Sequence, residues 1–356
     1  MFRSLGLLLH FTLLVASRAI NITTPGLVPG TTSHYAQVGG HTYYYMRSRP
    51  AGEYKGTIFL FHGYPDFSYG WRNQIPYLTS LGYQVIAPDM LGYSETDSPK
   101  ELSQWAKKKL SADMAQLADQ IVPGEQIIVG GHDWGVGIAY KMPIWYPDLV
   151  KAFFTVSVPY AWVFKVSGAP YVDLSVSVEN GTYPLLGYQL QWRDFAWERN
   201  FQSRAQIRDL LNGMYGGLTQ DNQSAFSPYN GYDLDQLPTL QPTQLVNSTT
   251  LDIYVENFAK QGFRGPDNWY RVYQMDWEDE RPIADRAESV LYTMPALFLG
   301  TSLDAIFPKS SWANMSRYFD NLTIDPLEAG HWVLWEQPDA ANEILGRWLN
   351  LTVVSS

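Results

Sequence analysis

The stretch IIVGGHDWGVGIAYK, residues 127–141, restricts this chain's fold more than any other. Ile127, Ile128 and Val129 are β-branched and run straight into Gly130-Gly131; after His132, Asp133 and Trp134 the small residues Gly135, Gly137 and Ala139 open a helical pattern. A strand that turns at once into a helix presents the residue at its apex, and only glycines tolerate the crowding on either side. Here the apex residue in G-x-D-x-G is Asp133, where the commoner G-x-S-x-G form of the turn has a serine.

Around this turn the chain alternates. Between Tyr35 and Pro159, strands are predicted over 41–46, 57–61, 84–87, 127–130 and 152–156, with helices over 102–121 and 134–146. That pattern predicts an α/β fold, a mostly parallel sheet covered by helices on both faces. From Tyr160 to Arg281 it stops. This stretch has no clear buried strand and is rich in Trp, Tyr, Phe and amides, so it reads as an inserted helical lid. Alternation resumes with PALFLGTSLD at 295–304, a strand near 323–326 and a helix over 339–349. An insertion at that place would sit over the carboxyl ends of the strands, where open α/β sheets bind ligands. The expected organisation is a core over 20–159 and 286–356 with a lid over 160–285.

The first nineteen residues carry Arg3, an apolar run from Leu5 to Val15, and Ser17-Arg18-Ala19. This is the pattern of a secretory signal peptide cut after Ala19, too short in its apolar part to span a bilayer. Seven N-x-S/T sequons follow, at Asn21, Asn180, Asn222, Asn247, Asn314, Asn321 and Asn350, and fit a secreted glycoprotein. The chain has no cysteine, which excludes thiol catalysis and disulfide staples. Net charge is −10, and Lys107-Lys108-Lys109 is the only basic run. It reads as the solvated face of a helix, so nucleic acid is not an expected partner. Gly135-Val136-Gly137 lacks the rest of a dinucleotide fingerprint and no HExxH occurs, so neither NAD nor a metal is expected, and no cofactor at all.

A carboxylate at the apex can attack a strained electrophile, and the ester it forms must then be hydrolysed. That needs a histidine to activate water and an acid to hold the histidine. The order nucleophile, acid, histidine is met by Asp133, by Asp304 just after PALFLG, and by His331 in LEAGHWVLWEQPD. Of six histidines, His10 falls in the leader, His34 and His41 precede the core, and His62 and His132 flank other motif residues. The tetrahedral anion formed on the ester needs donors. The Trp134 N–H is one by position, and LFHGYPD at 60–66 offers another at Tyr64.

The set HGYP at 62–65, PDMLGYSETD at 88–97, GHDWG at 131–135, Asp304 and GHW at 330–332 resembles the α/β-hydrolase-fold epoxide hydrolases over nearly all of the mature chain. The resemblance implies two epoxide-activating tyrosines, Tyr270 in GFRGPDNWYR and Tyr188 in GYQLQW. It also implies an oxyanion hole at Tyr64 with a cis Tyr64–Pro65 peptide. The reaction expected is conversion of an apolar or aromatic epoxide to a vicinal diol. A haloalkane or haloacid dehalogenase with the same aspartate, and a secreted binding protein without turnover, stand as alternatives. Substrate and oligomeric state stay open.

Overall fold

The computed structural model describes residues 24–160, 170–284 and 291–353; the expected signal peptide and Asn21 lie outside the described residues. The strands are β1 (Thr24–Pro25), β2 (Thr31–Val38), β3 (His41–Ser48), β4 (Gly56–Phe61), β5 (Tyr83–Pro88), β6 (Ile127–His132), β7 (Val150–Val156), β8 (Phe226–Ser227), β9 (Gly231–Tyr232), β10 (Ala296–Leu299) and β11 (Leu322–Ile324). The helices are α1 (Gln74–Ser80), α2 (Lys107–Ile121), α3 (Gly135–Trp145), α4 (Leu174–Glu179), α5 (Tyr188–Trp192), α6 (Arg204–Met214), α7 (Ser248–Gln261), α8 (Arg264–Asn268), α9 (Tyr273–Ala284), α10 (Val333–Glu336) and α11 (Pro338–Trp348).

Nine strands form one sheet in the order β1-β2-β3-β5-β4-β6-β7-β10-β11. From β5 to β11 every pairing is parallel, while β1, β2 and β3 add an antiparallel edge. Strands buried on both faces need continuous apolar runs. β4 and β6 meet this condition: Thr57 to Phe61 and Ile127 to His132 are all buried. Helices α2 and α3 pack together against the sheet, and α1 packs with α11. The expected fold class therefore stands.

Between β7 and β10 the chain runs through α4 to α9. Two of these helices carry strong start signals. Ser203 and Gln206 form a capping box on α6, and the Asn247 side chain accepts from Thr250 N at 2.8 Å to open α7. The expectation of no clear buried strand here needs correcting, because β8 and β9 pair as a short hairpin and β9 is buried. This insertion is bonded to the core: Tyr215 Oη donates to Pro65 O at 2.6 Å and Tyr254 Oη to Asp66 Oδ1 at 2.7 Å.

Two more expectations fail. The helix over 102–121 is a 3₁₀ turn, Leu102–Trp105, followed by α2, because Ala106 is at ψ 137°. The lysine run is no uniform solvated face either. Lys107 is 3% exposed, and its backbone N–H donates to Asp276 Oδ1 of α9 at 2.7 Å. A carboxylate from the insertion thus caps α2, a partner that no local pattern announces.

Candidate active site

β6 ends at His132, and the turn into α3 holds Asp133 at φ 50°, a left-handed conformation that costs a non-glycine residue energy. Glycines let the turn approach β4 and the loop after it. A Cβ on Gly135 would lie 2.0 Å from Phe61 O, and one on Gly63 would lie 2.3 Å from Asp133 Oδ1 and 2.6 Å from Trp134 N. The 62–65 loop and the apex therefore touch through main chain. Tyr64 N–H donates to Asp133 Oδ1 at 2.7 Å, and the Tyr64–Pro65 peptide is cis.

The ends of β10 and β11 deliver the other two groups. His331 Nδ1 lies 2.7 Å from Asp304 Oδ2 and its Nε2 lies 3.4 Å from Asp133 Oδ2. Asp304 Oδ1 accepts from the N–H groups of Ile306 at 2.8 Å and Phe307 at 3.2 Å. Asp304 thus holds the loop after it with one oxygen and the histidine with the other. The His331 carbonyl is fixed from behind by His132 Nε2 at 2.8 Å and Ser157 Oγ at 2.9 Å. Burial works against a charged His331, but the Asp304 charge and the bonds to both carboxylates outweigh it and lift its pKa to about 10. Burial alone would raise Asp133; its bond to His331 and the imidazolium charge instead hold it below the usual carboxylate range.

Tyr188 and Tyr270 line one cavity of about 640 Å³ with Asp133, His331 and Tyr64. Their rings are 6.5 Å apart. Burial first, and the Asp133 charge second, raise both phenols well above their ordinary pKa, so each is an intact O–H donor at neutral pH. Tyr273 Oη donates to Gln189 Oε1 at 2.6 Å, and Gln189 Nε2 donates to Tyr188 Oη at 3.1 Å. With a lone pair so occupied, Tyr188 keeps its hydrogen for another acceptor. Tyr270 packs edge-on against Tyr64 at 5.3 Å and Trp134 at 4.9 Å. Next to it, Arg271 is held by Arg193 O at 2.9 Å and Glu198 Oε2 at 2.8 Å. A second cavity, of about 440 Å³, shares Asp133 and Tyr188 and is lined by Val136, Val158, Leu186 and Phe307 among others.

The remaining sequence candidates are placed as follows. Trp134 lines the second cavity, and its N–H lies next to Gly63. His62 is buried and neutral, its pKa lowered to about 3 by burial; its Nε2 accepts from Met90 N at 2.8 Å. Asp66, pushed up to about 7 by burial, holds its own loop through Phe67 N–H. His34 stacks on Tyr45 and His41 meets Gln104, both at the antiparallel edge. Asn180, Asn222, Asn247, Asn314, Asn321 and Asn350 are all exposed. Among the described residues there is no cluster of three His, Cys, Asp or Glu side chains fit to hold a metal, and no helix is long and apolar enough to cross a membrane. The sequence reading missed Gln189, which lies inside GYQLQW beside Tyr188, and Tyr273 and Ser157, which lie outside every motif.

Comparison with known proteins agrees with this geometry. The family model described as alpha/beta hydrolase fold matches residues 56–338. Epoxide hydrolase srdG of Neurospora crassa is 35% identical, covering 90% of this chain and 96% of its own length. Epoxide hydrolase A of Mycobacterium tuberculosis is 30% identical over 82% of this chain and 90% of its own. The crystal structure of epoxide hydrolase A from Mycobacterium thermoresistibile superposes with a TM-score of 0.71 at 26% identity, over 90% of this chain and 99% of that one. With a carboxylate at the elbow, a histidine held by a second carboxylate and this likeness across most of its length, the chain belongs to the epoxide hydrolases of the α/β-hydrolase fold.

Proposed function

We propose that this protein converts an epoxide into a vicinal diol through a covalent ester on Asp133. One observation carries the reading: His331 stands 3.4 Å from Asp133 and 2.7 Å from Asp304, in a cavity whose wall also holds Tyr188 and Tyr270. An Asp133 oxygen attacks a ring carbon, the C–O bond of the ring breaks, and a tyrosine gives its proton to the leaving oxygen. His331 starts as the imidazolium. Once Asp133 is an ester its charge no longer holds that proton, which passes to the tyrosinate and leaves His331 a neutral base. His331 then takes a proton from water, and hydroxide attacks the ester carbonyl. The N–H groups of Tyr64 and Trp134 hold the anion. Collapse restores Asp133, and the second water proton ends on the departing alkoxide.

Two phenols beside one carboxylate suit an alkoxide leaving group better than a halide, which is diffuse and favours weaker N–H donors. The apolar second cavity suits an apolar or aromatic substituent on the epoxide, with α4 to α9 acting as a lid. In a single turnover in ¹⁸O-water the new diol oxygen should come from Asp133, with label retained in the protein; a labelled diol on that first turnover would sink the ester mechanism. We also place the protein outside the cytosol as a glycoprotein, supported by the exposed sequon asparagines. An intact mass that glycosidase leaves unchanged would count against that placement.

A further inference from the structure

Lys107 occupies a costly place. Its ammonium is buried, which is unfavourable without compensation, and it opens helix α2, whose N-terminal dipole disfavours a cation. Its contacts compensate. Nζ lies 3.2 Å from Asp276 Oδ2, donates to Trp269 O at 3.0 Å, and sits 4.4 Å above the Trp134 ring and 5.3 Å from that of Trp269. Trp134 directly follows Asp133, and Trp269 directly precedes Tyr270. The ammonium therefore holds the sequence neighbour of each member of the reacting pair while its own charge is met by Asp276. The Trp134 ring in turn meets Tyr270 edge-on at 4.9 Å.

We propose that Lys107 is a positioning residue that sets the Tyr270 phenol against the Asp133 carboxylate by clamping Trp134 and Trp269 together. The proposal rests on the assignment of ring opening to Asp133 and Tyr270. Misplacing a reacting group by a fraction of an ångström slows the step it takes part in and leaves other steps alone. Ester hydrolysis runs on His331, Asp304 and the N–H groups of Tyr64 and Trp134; Lys107 meets Trp134 only through its ring, and the Trp134 N–H is fixed by the main chain of the elbow.

The test is single-turnover kinetics on styrene oxide with Lys107→Met and with Lys107→Met/Asp276→Asn, the second avoiding a stranded buried carboxylate should the first fail to fold. The expected result is ring opening slower on the order of tenfold, with the ester-hydrolysis rate and the pH profile unchanged. In a Tyr270→Phe background the double change should cost nothing more, while in a Tyr188→Phe background it should cost its full factor. Wild-type ring-opening rates in the variants, the same loss in both backgrounds, or equal slowing of both steps would each overturn the clamp. A wild type that opens no epoxide would overturn the reaction assigned above and this proposal with it, so the two failures are told apart.

Discussion

Asp133 and Tyr270 face the same cavity, but they are held there by different means. Asp133 is positioned by main chain: a strand end, a left-handed apex and two glycines that let backbone touch backbone. Tyr270 and Tyr188 are positioned by side chains, through Gln189, Tyr273 and Arg271 of the insertion and through edge-on rings that include Tyr64 and Trp134 of the core. Backbone contacts leave no room to relax, whereas side-chain contacts can repack. The nucleophile is therefore the fixed point of the site, and the phenols are the part that can be tuned.

The largest expected effect falls on the histidine beside the nucleophile. His331→Gln should leave ring opening intact and cut turnover by about 10³-fold, within the usual range for a general base. The alkyl-enzyme should then build up as a mass increment on the peptide that contains Asp133. Rapid turnover without adduct would break the division of labour between the two regions.

Tyr270→Phe should slow ring opening by about 10²-fold, as for loss of one preorganised donor. Tyr273→Phe, which removes the donor that orients Gln189, should cost less and act only when Tyr188 is present. Equal effects from the two would mean that the side-chain-built wall is as rigid as the elbow. Stability offers a sharper contrast. Gly63→Ala pushes a methyl into Asp133 and the Trp134 N–H and should cost about 1–3 kcal/mol in urea unfolding. On α6, the nearest atoms that a Gly213→Ala methyl would meet belong to the Leu237, Leu240 and Tyr232 side chains. The substitution also gains about 1 kcal/mol of helix propensity, so its net change should be near zero.

A last contrast is in the pH dependence of unfolding. His331 is raised from 6.5 to about 10 in the folded protein. It binds its proton more tightly folded than unfolded, so its contribution is full below about pH 6.5 and is lost as pH rises towards 10. The stability gap between wild type and His331→Gln should narrow over that window. A gap that widens there would reverse the sign and remove the imidazolium from the resting site.

The same contrast explains what could be read in advance. Asp133 and Asp304 follow buried strands and His331 follows the partly exposed β11, and strands with turn residues leave local marks; the parallel core was legible for the same reason. Strand β2 was missed because it is near the sheet edge, only partly buried, and carries little apolar pattern. Lys107 was misread because its carboxylate partner lies 169 residues further on, and the break at Ala106 has neither proline nor glycine to announce it. Tyr188 and Tyr270 came from resemblance alone, since nothing in an aromatic-rich helical stretch tells a proton donor from packing. Gln189 and Ser157 act through contacts that exist only after the chain has folded.

The bonds from Tyr215 to Pro65 and from Tyr254 to Asp66 bear on any attempt to re-engineer this enzyme. An insertion between two strands looks like a cassette that could be exchanged between relatives to transplant selectivity. Here the cassette grips the loop whose Tyr64 N–H is bonded to the nucleophile. A transplant of residues 160–285 alone would bring a new roof and loosen the floor. The natural unit of exchange is the insertion together with the 62–72 loop, and chimeras should be cut accordingly.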